Sequence, residues 1–245
     1  MAQAKSPISP PQRGIRKVEQ RQASMDLLLD AALRLFVSQG YRSTNLEQIA
    51  GAAKLTKGAV YFYFRSKEAV LIALLERVRR IVVEEAIARV LQAGPAPTEQ
   101  LIAYIHYEAG LGITHRDEVL LLILMSLEWK EKDGEVQAFI ARIYKRQRSF
   151  IEALVKAGQE AGEFRTDVRT RELAAVILAI HDGTFLEWFR RSATLKGPEL
   201  VRALRSAIFS GVTGGGLGTA RKGRTLPPVH AALRRSLRRS EAKAE

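Results

Sequence analysis

From Ser24 onward the apolar positions recur at helical spacing. Leu28, Ala31, Ala32, Leu35 and Phe36 follow one another three and four residues apart, so they share one helix face that Gly40 brings to an end. Thr44-Asn45-Leu46-Glu47 has the form of a capping box, with Thr44 as cap, and predicts a short helix to about Ala53. Another short helix is expected from Thr56 to about Phe62. Ser66 then caps a long one running to about Gln92, where Gly94-Pro95-Ala96-Pro97 stops it. Further helices are expected at Thr98–Thr114, Asp117–Lys132, Glu135–Ala161 and Asp167–Arg191. A last one opens at Gly197-Pro198, with proline in the first turn where its missing N–H does no harm. The run Gly214-Gly215-Gly216-Leu217-Gly218 closes the pattern. No alternating segment of strand length and no internal repeat interrupts it, so the fold class is all-α with about nine helices.

Charge divides the chain unevenly. Residues 1–23 carry five Lys/Arg and one acid, and residues 214–245 carry eight and two, out of a formal net charge of +13. The body between is only mildly basic. Residues 1–23 are therefore expected as a flexible basic arm and 213–245 as a flexible basic tail, around a domain at 24–70 and a larger one at 71–212. Mobile cationic ends favour a polyanionic partner through counterion release. Cysteine is absent, which removes disulfides and thiolate metal sites. The first 25 residues hold no signal-like apolar stretch, and the longest apolar run, Leu173–Ile180, is too short for a membrane span. A cytoplasmic protein without membrane partner, metal or cofactor is expected.

The segment 44–64 has the layout of a helix-turn-helix. Ala50 is small where two helices would cross, and Ile49, Ala53, Leu55, Val60 and Tyr63 would build a shared core. An ordinary helical hairpin would show the same spacing. The surrounding residues add AALRLF at 31–36, Gly40-Tyr41, Thr44, Ile49-Ala50, Lys57-Gly58, Val60-Tyr61, Phe64 and Ser66-Lys67-Glu68. With these, the stretch Leu29–Leu75 closely resembles the DNA-binding domain of the TetR/AcrR family of regulators. Two departures stand out. Lys54 occupies the turn where the family usually has glycine, and a side chain at positive φ costs roughly 1 kcal/mol or more, which is expected to reshape the turn slightly. Phe62 replaces a residue that often donates a hydrogen bond.

The resemblance implies a ligand-responsive repressor, a homodimer on double-stranded DNA at a pseudo-palindromic operator, released by a small hydrophobic effector. It implies DNA contacts from Thr44, Thr56, Lys57, Gly58, Ala59, Tyr61, Phe62 and Lys67. Lys57 would donate to guanine O6/N7, Gly58 and Ala59 would allow close approach, and Tyr61 and Lys67 would hold phosphates. Tyr61 and Phe62 are also readable as domain core, Phe62 at least as readily as a DNA contact. In the larger domain, Tyr104, Tyr107, Met125, Trp129, Phe150 and His181 are candidate pocket walls, each also readable as plain core. The last two long helices would pair in the dimer through Leu173, Ile177, Ile180, Gly183, Thr184, Trp188, Leu200, Leu204 and Ile208. The run Leu120–Met125 is apolar on every side, so its helix belongs in the middle of the bundle.

An enzyme finds little support. Gly211–Gly218 lacks the preceding strand and closing Gly-Lys-Ser/Thr of a phosphate loop, no Gly-x-Ser-x-Gly occurs, and no two histidines are four apart. A sequence-independent DNA- or membrane-surface binder is the alternative. Its motif would be Pro227–Glu241, where Leu233, Leu237 and four arginines can form a basic amphipathic helix.

Overall fold

A computed structural model describes residues 12–214 except 131, 192 and 193, with side chains from residue 18. The tail motif at Pro227–Glu241 lies outside the described residues. Within them every regular element is helical: α1 (Gln12–Gln39), α2 (Leu46–Ala52), α3 (Lys57–Tyr63), α4 (Lys67–Arg79), α5 (Glu85–Gln92), α6 (Pro97–Thr114), α7 (Arg116–Glu128), α8 (Glu135–Glu160), α9 (Thr170–Arg191) and α10 (Gly197–Thr213). A π-helical turn at Arg80–Glu84 joins α4 to α5, so the two form one continuous helix and the continuous helices number nine among the described residues. None of them is long and apolar enough to cross a membrane.

The first helix starts at Gln12, twelve residues before the onset of its apolar periodicity. The second half of the stretch expected to be a flexible arm is thus helical. Arg, Lys, Glu and Gln dominate it and propagate a helix well without burying a face.

α1, α2 and α3 pack around Leu28, Ala32, Phe36, Ile49 and Val60, all buried. This core runs on without a break into α4, α7 and the first half of α8. α7 touches α1, α4, α6 and α8, and its Val119–Ile123 and Met125 are buried, as a helix apolar on every side requires. A second core joins α5, α6, the later part of α8, α9 and α10 around Leu101, Tyr104, Val155, Ile177 and Ile208.

The long helix is pinned at its π turn. A π turn leaves a carbonyl out of the regular ladder, and the Tyr107 hydroxyl of α6 donates to the Ile81 carbonyl at 2.7 Å. At the other end Ser66 caps α4, accepting from Ala69 N–H at 3.1 Å. From Lys67 to Gln92 the helix spans about 39 Å.

Candidate nucleic-acid interface and ligand cavity

Ala50 is only 2% exposed where α2 meets α3, and a side chain of any size there would push the two helices apart. The turn between them is a Schellman motif. Leu55 N–H donates to the Ala50 carbonyl at 2.9 Å and Lys54 N–H to Gly51 at 3.0 Å, with Lys54 at φ +56°. Lys54 is the only non-glycine residue with positive φ among the described residues. The turn is therefore not reshaped; it keeps the left-handed geometry, and Lys54 carries the strain with its side chain in solvent.

Thr56 caps α3, accepting from Ala59 N–H at 3.2 Å. The first turn of α3 presents Lys57 and Gly58 to solvent, with Ala59 half-buried. Lys57 is ion-paired with Glu47 of α2, and that contact raises its pKa. Tyr61 is 48% and Phe62 66% exposed, so the core reading fails for both. Phe62 packs edge-on against Tyr63 and lies under the Arg21 guanidinium, 5.0 Å from the ring centroid. The exposed edge of α3 thus carries a cation, two small residues and two aromatics, flanked by a basic residue of α1.

Two expected contacts lie elsewhere. Thr44 is 1% exposed, and its hydroxyl donates to the Gly40 carbonyl at 2.9 Å. The cap of α2 is Asn45, in a capping box with Gln48. Both Thr44-x-x-Glu47 and Asn45-x-x-Gln48 fit the sequence pattern, and burial of Thr44 chose the second. Lys67 donates to the carbonyls of Tyr41 and Thr44 at 2.7 Å each and of Arg42 at 3.3 Å, with its ammonium over the Tyr41 ring. All three N–H groups are spent on the α1–α2 loop, and partial burial lowers its pKa. Lys67 is a loop clamp and not a free phosphate donor.

In the larger domain an apolar cavity of about 480 Å³ opens between α6, α9 and α10. Ile113, Phe185, Trp188, Leu200 and Leu204 form walls, Arg202 stands beside them, and Glu108 and His181 supply the buried polar groups. Glu108 Oε2 lies 3.6 Å from His181 Nε2, and His181 Nδ1 lies 3.6 Å from Asp182 Oδ1. Those separations are ion-pair distances, too long for hydrogen bonds. Glu108 Oε1 has no partner at all. Burial pushes the Glu108 carboxyl up to about 7, against the pull of His181. For His181 burial acts downward, and the contacts with Asp182 and Glu108 outweigh it, so its pKa rises.

Of the six candidate pocket residues only His181 lines this cavity. Tyr104 is buried core, taking a hydrogen bond from Gln147 at 3.3 Å, and Met125 is buried in α7. Phe150 packs between the two cores, and Tyr107 serves the π turn. Trp129 meets Tyr41 edge-on with centroids 4.6 Å apart, so it joins the bundle to the α1–α2 loop; its other side borders a separate recess beside Tyr144. Size and polar tip marked these side chains, but helix rotation decided which faced open space.

The family model described as "Bacterial regulatory proteins, tetR family" matches residues 28–74. A second, "BetI-type transcriptional repressor, C-terminal", matches residues 131–210. The crystal structure of the MbdR regulator from Azoarcus sp. CIB is 39% identical, over 77% of this chain and 98% of that one, with a TM-score of 0.71. This chain belongs to the TetR family of transcriptional regulators. FadR from Bacillus halodurans, a fatty acid degradation regulator, is 25% identical over 77% of this chain and 95% of its own, with a TM-score of 0.64. The fatty acid metabolism regulator protein of Bacillus subtilis (strain 168) is 21% identical over 80% of this chain and 98% of its own. The matched families are regulators and not enzymes.

In this TetR-family regulator most of the residues expected to face a dimer partner point into the protomer instead. Leu173, Ile177, Leu204 and Ile208 are buried inside the protomer, between 1% and 6% exposed, and cannot meet a partner. Thr184, Trp188 and Leu200 border the cavity, and Ile180 is half-buried against the second core. Only Gly183 is exposed. The outward faces carry small residues instead: Ala175, Ala179 and Gly183 on α9, and Ala203, Ala207 and Gly211 on α10, each set spaced by four. Apart from the exposed Val176, the large apolar side chains of α9 and α10 face the protomer's own core or cavity, so an apolar stripe read from sequence marked the inner face.

Proposed function

We propose that this regulator is a repressor that binds a pseudo-palindromic operator as a homodimer and is released by a small, largely apolar effector. The observation that carries the reading is the apolar cavity on α6, one residue from the side chain that holds the linking helix. Glu108 faces the cavity, and its neighbour Tyr107 bonds Ile81 in the π turn. A ligand that shifts α6 therefore acts on the helix whose far end clamps the α1–α2 loop through Lys67. Two relatives named for fatty acid metabolism or degradation support an apolar effector. A pocket of this size accommodates a drug-sized molecule.

DNA recognition rests on α3 in the major groove. Lys57 leaves Glu47 for a base edge, Tyr61 holds a phosphate, and Phe62 with Ala59 meets thymine methyls. The dimer pairs α9 and α10 with their mates through the small-residue faces, since small side chains let helix axes approach closely. Recognition helices about 34–36 Å apart then match half-sites one turn of DNA apart.

Selecting bound fragments from genomic DNA and footprinting them tests the reading. A two-fold symmetric site is expected, and Lys57→Ala should relax preference at one base pair per half-site. Equal binding to all competitor DNA would favour a sequence-independent binder and exclude a repressor of this kind.

A further inference from the structure

We propose that Glu108 and His181 select a ligand whose buried end carries a hydrogen-bond donor, a hydroxyl or an amine, on an otherwise apolar body. This assignment presupposes that the cavity is the effector site. Glu108 borders the cavity and is 3% exposed, and its Oε1 has no partner, whereas buried polar atoms in folded proteins are nearly always paired. The other polar side chains of the wall do not pair with it: Thr184 spends its hydroxyl on the Ile180 carbonyl, and His106 is an exposed residue of α6. Phe185, Leu200 and Leu204 are apolar, and the Arg202 side chain belongs to an exposed residue of α10.

The sense of the missing bond follows from the neighbours. His181 stands between the Glu108 and Asp182 carboxylates, 3.6 Å from each; its Nδ1 also lacks a hydrogen bond but faces Asp182 as an ion pair, whereas Glu108 Oε1 faces no donor. Burial pushes the Glu108 carboxyl up to about 7 while the imidazole beside it favours the ionised form, so at the pH 8 of the test below Glu108 is a carboxylate. Glu108 Oε1 is then an acceptor. A hydroxyl or an ammonium satisfies it, while a carboxylate or an ester carbonyl presents lone pairs to lone pairs. Sites that pair a buried polar group with the ligand reject analogues lacking that group far more strongly than apolar pockets reject a change of shape.

Four probes of one shape test this on the full chain at pH 8 by titration calorimetry, with operator release followed by fluorescence anisotropy: 4-phenylbutan-1-ol, 4-phenylbutylamine, 4-phenylbutyrate and butylbenzene. At least one of the two donors should bind tenfold or more tightly than the acid and the hydrocarbon, and should release operator. The ranking of alcohol against amine distinguishes a neutral from a cationic headgroup. Glu108→Leu should remove the donor's advantage and bring butylbenzene level with it or ahead. The wild-type ranking stands by itself if that variant does not fold. Butylbenzene or the acid binding as tightly as both donors overturns the donor assignment and leaves the effector reading in place. Absence of binding by all four, with operator still held, overturns both.

Discussion

Lys67 and Glu108 are the side chains whose surroundings depart furthest from what a lysine or a glutamate at the surface would meet. Lys67 substitutes for backbone donors in the α1–α2 loop, taking three carbonyls. Lys67→Met should destabilise the protein by about 1–3 kcal/mol in chemical unfolding, as loss of charged hydrogen bonds does. Operator affinity should fall with it, and the slope of log K against log salt should stay unchanged, because no phosphate contact is lost. Lys57→Ala should instead lower operator affinity more than affinity for random DNA, because a base contact is lost. Glu108 gives a pH signature. Its folded pKa, raised by burial to about 7 from 4.5, means that the folded state holds a proton that the unfolded state releases. The associated stability is complete below about pH 4.5 and is lost as pH rises through 7, with a ceiling of about 3 kcal/mol. The raised His181 pKa works in the same sense. Thermal unfolding of wild type and Glu108→Gln from pH 5 to 8.5 should show the variant gaining on the wild type as pH rises.

Among the elements, the joint between α7 and the α1–α2 loop couples the two domains. Trp129 just past α7 packs on Tyr41, and Arg42 bonds Glu128 at 3.1 Å. Arg77 of α4 ties Asp30 of α1 at 2.6 Å and approaches Glu118 of α7 at 3.7 Å. The exposed Arg42–Glu128 pair contributes little by itself, so the aromatic contact holds the joint. Trp129→Ala should cost about 3–5 kcal/mol and weaken operator binding in the absence of any ligand. Calorimetry should find cavity binding intact, since Trp129 is not part of that wall. A smaller effect belongs to the π turn: Tyr107→Phe should lower stability by about 1 kcal/mol, the net worth of one hydrogen bond.

For the whole molecule, the proposed dimer rests on the outward faces of α9 and α10. Ala179→Asp or Ala207→Asp places a charge on an exposed stripe and should yield folded monomers in sedimentation, with operator binding lost. Ile177→Asp buries the charge within the protomer, where the residue is 1% exposed, and should unfold the chain. Sedimentation of Ala179→Asp as an intact dimer would exclude the α9–α10 interface.

The sequence by itself determined the all-α class, the order of the helices after the first and the helix-turn-helix. Those depend on local periodicity, caps and glycine or proline stops, and each is written within a few residues. The left-handed conformation of Lys54 was decided by the packing of α2 against α3, since a lysine by itself disfavours positive φ. Only tertiary packing decided which side of each amphipathic helix faces inward when both sides are apolar or small. That is why Ile177 and Ile208 read as interface and proved to be core, while Ala179 and Ala207 carried no hydrophobic signal. Packing likewise assigned the polar tips. Tyr107 went to a stray carbonyl, Lys67 to a loop and Trp129 to the domain joint, whereas Glu108, an ordinary acid in the middle of α6, was brought beside His181 of α9 from 73 positions away in sequence. No local pattern encodes that meeting, because it exists only once α6 and α9 have packed against each other.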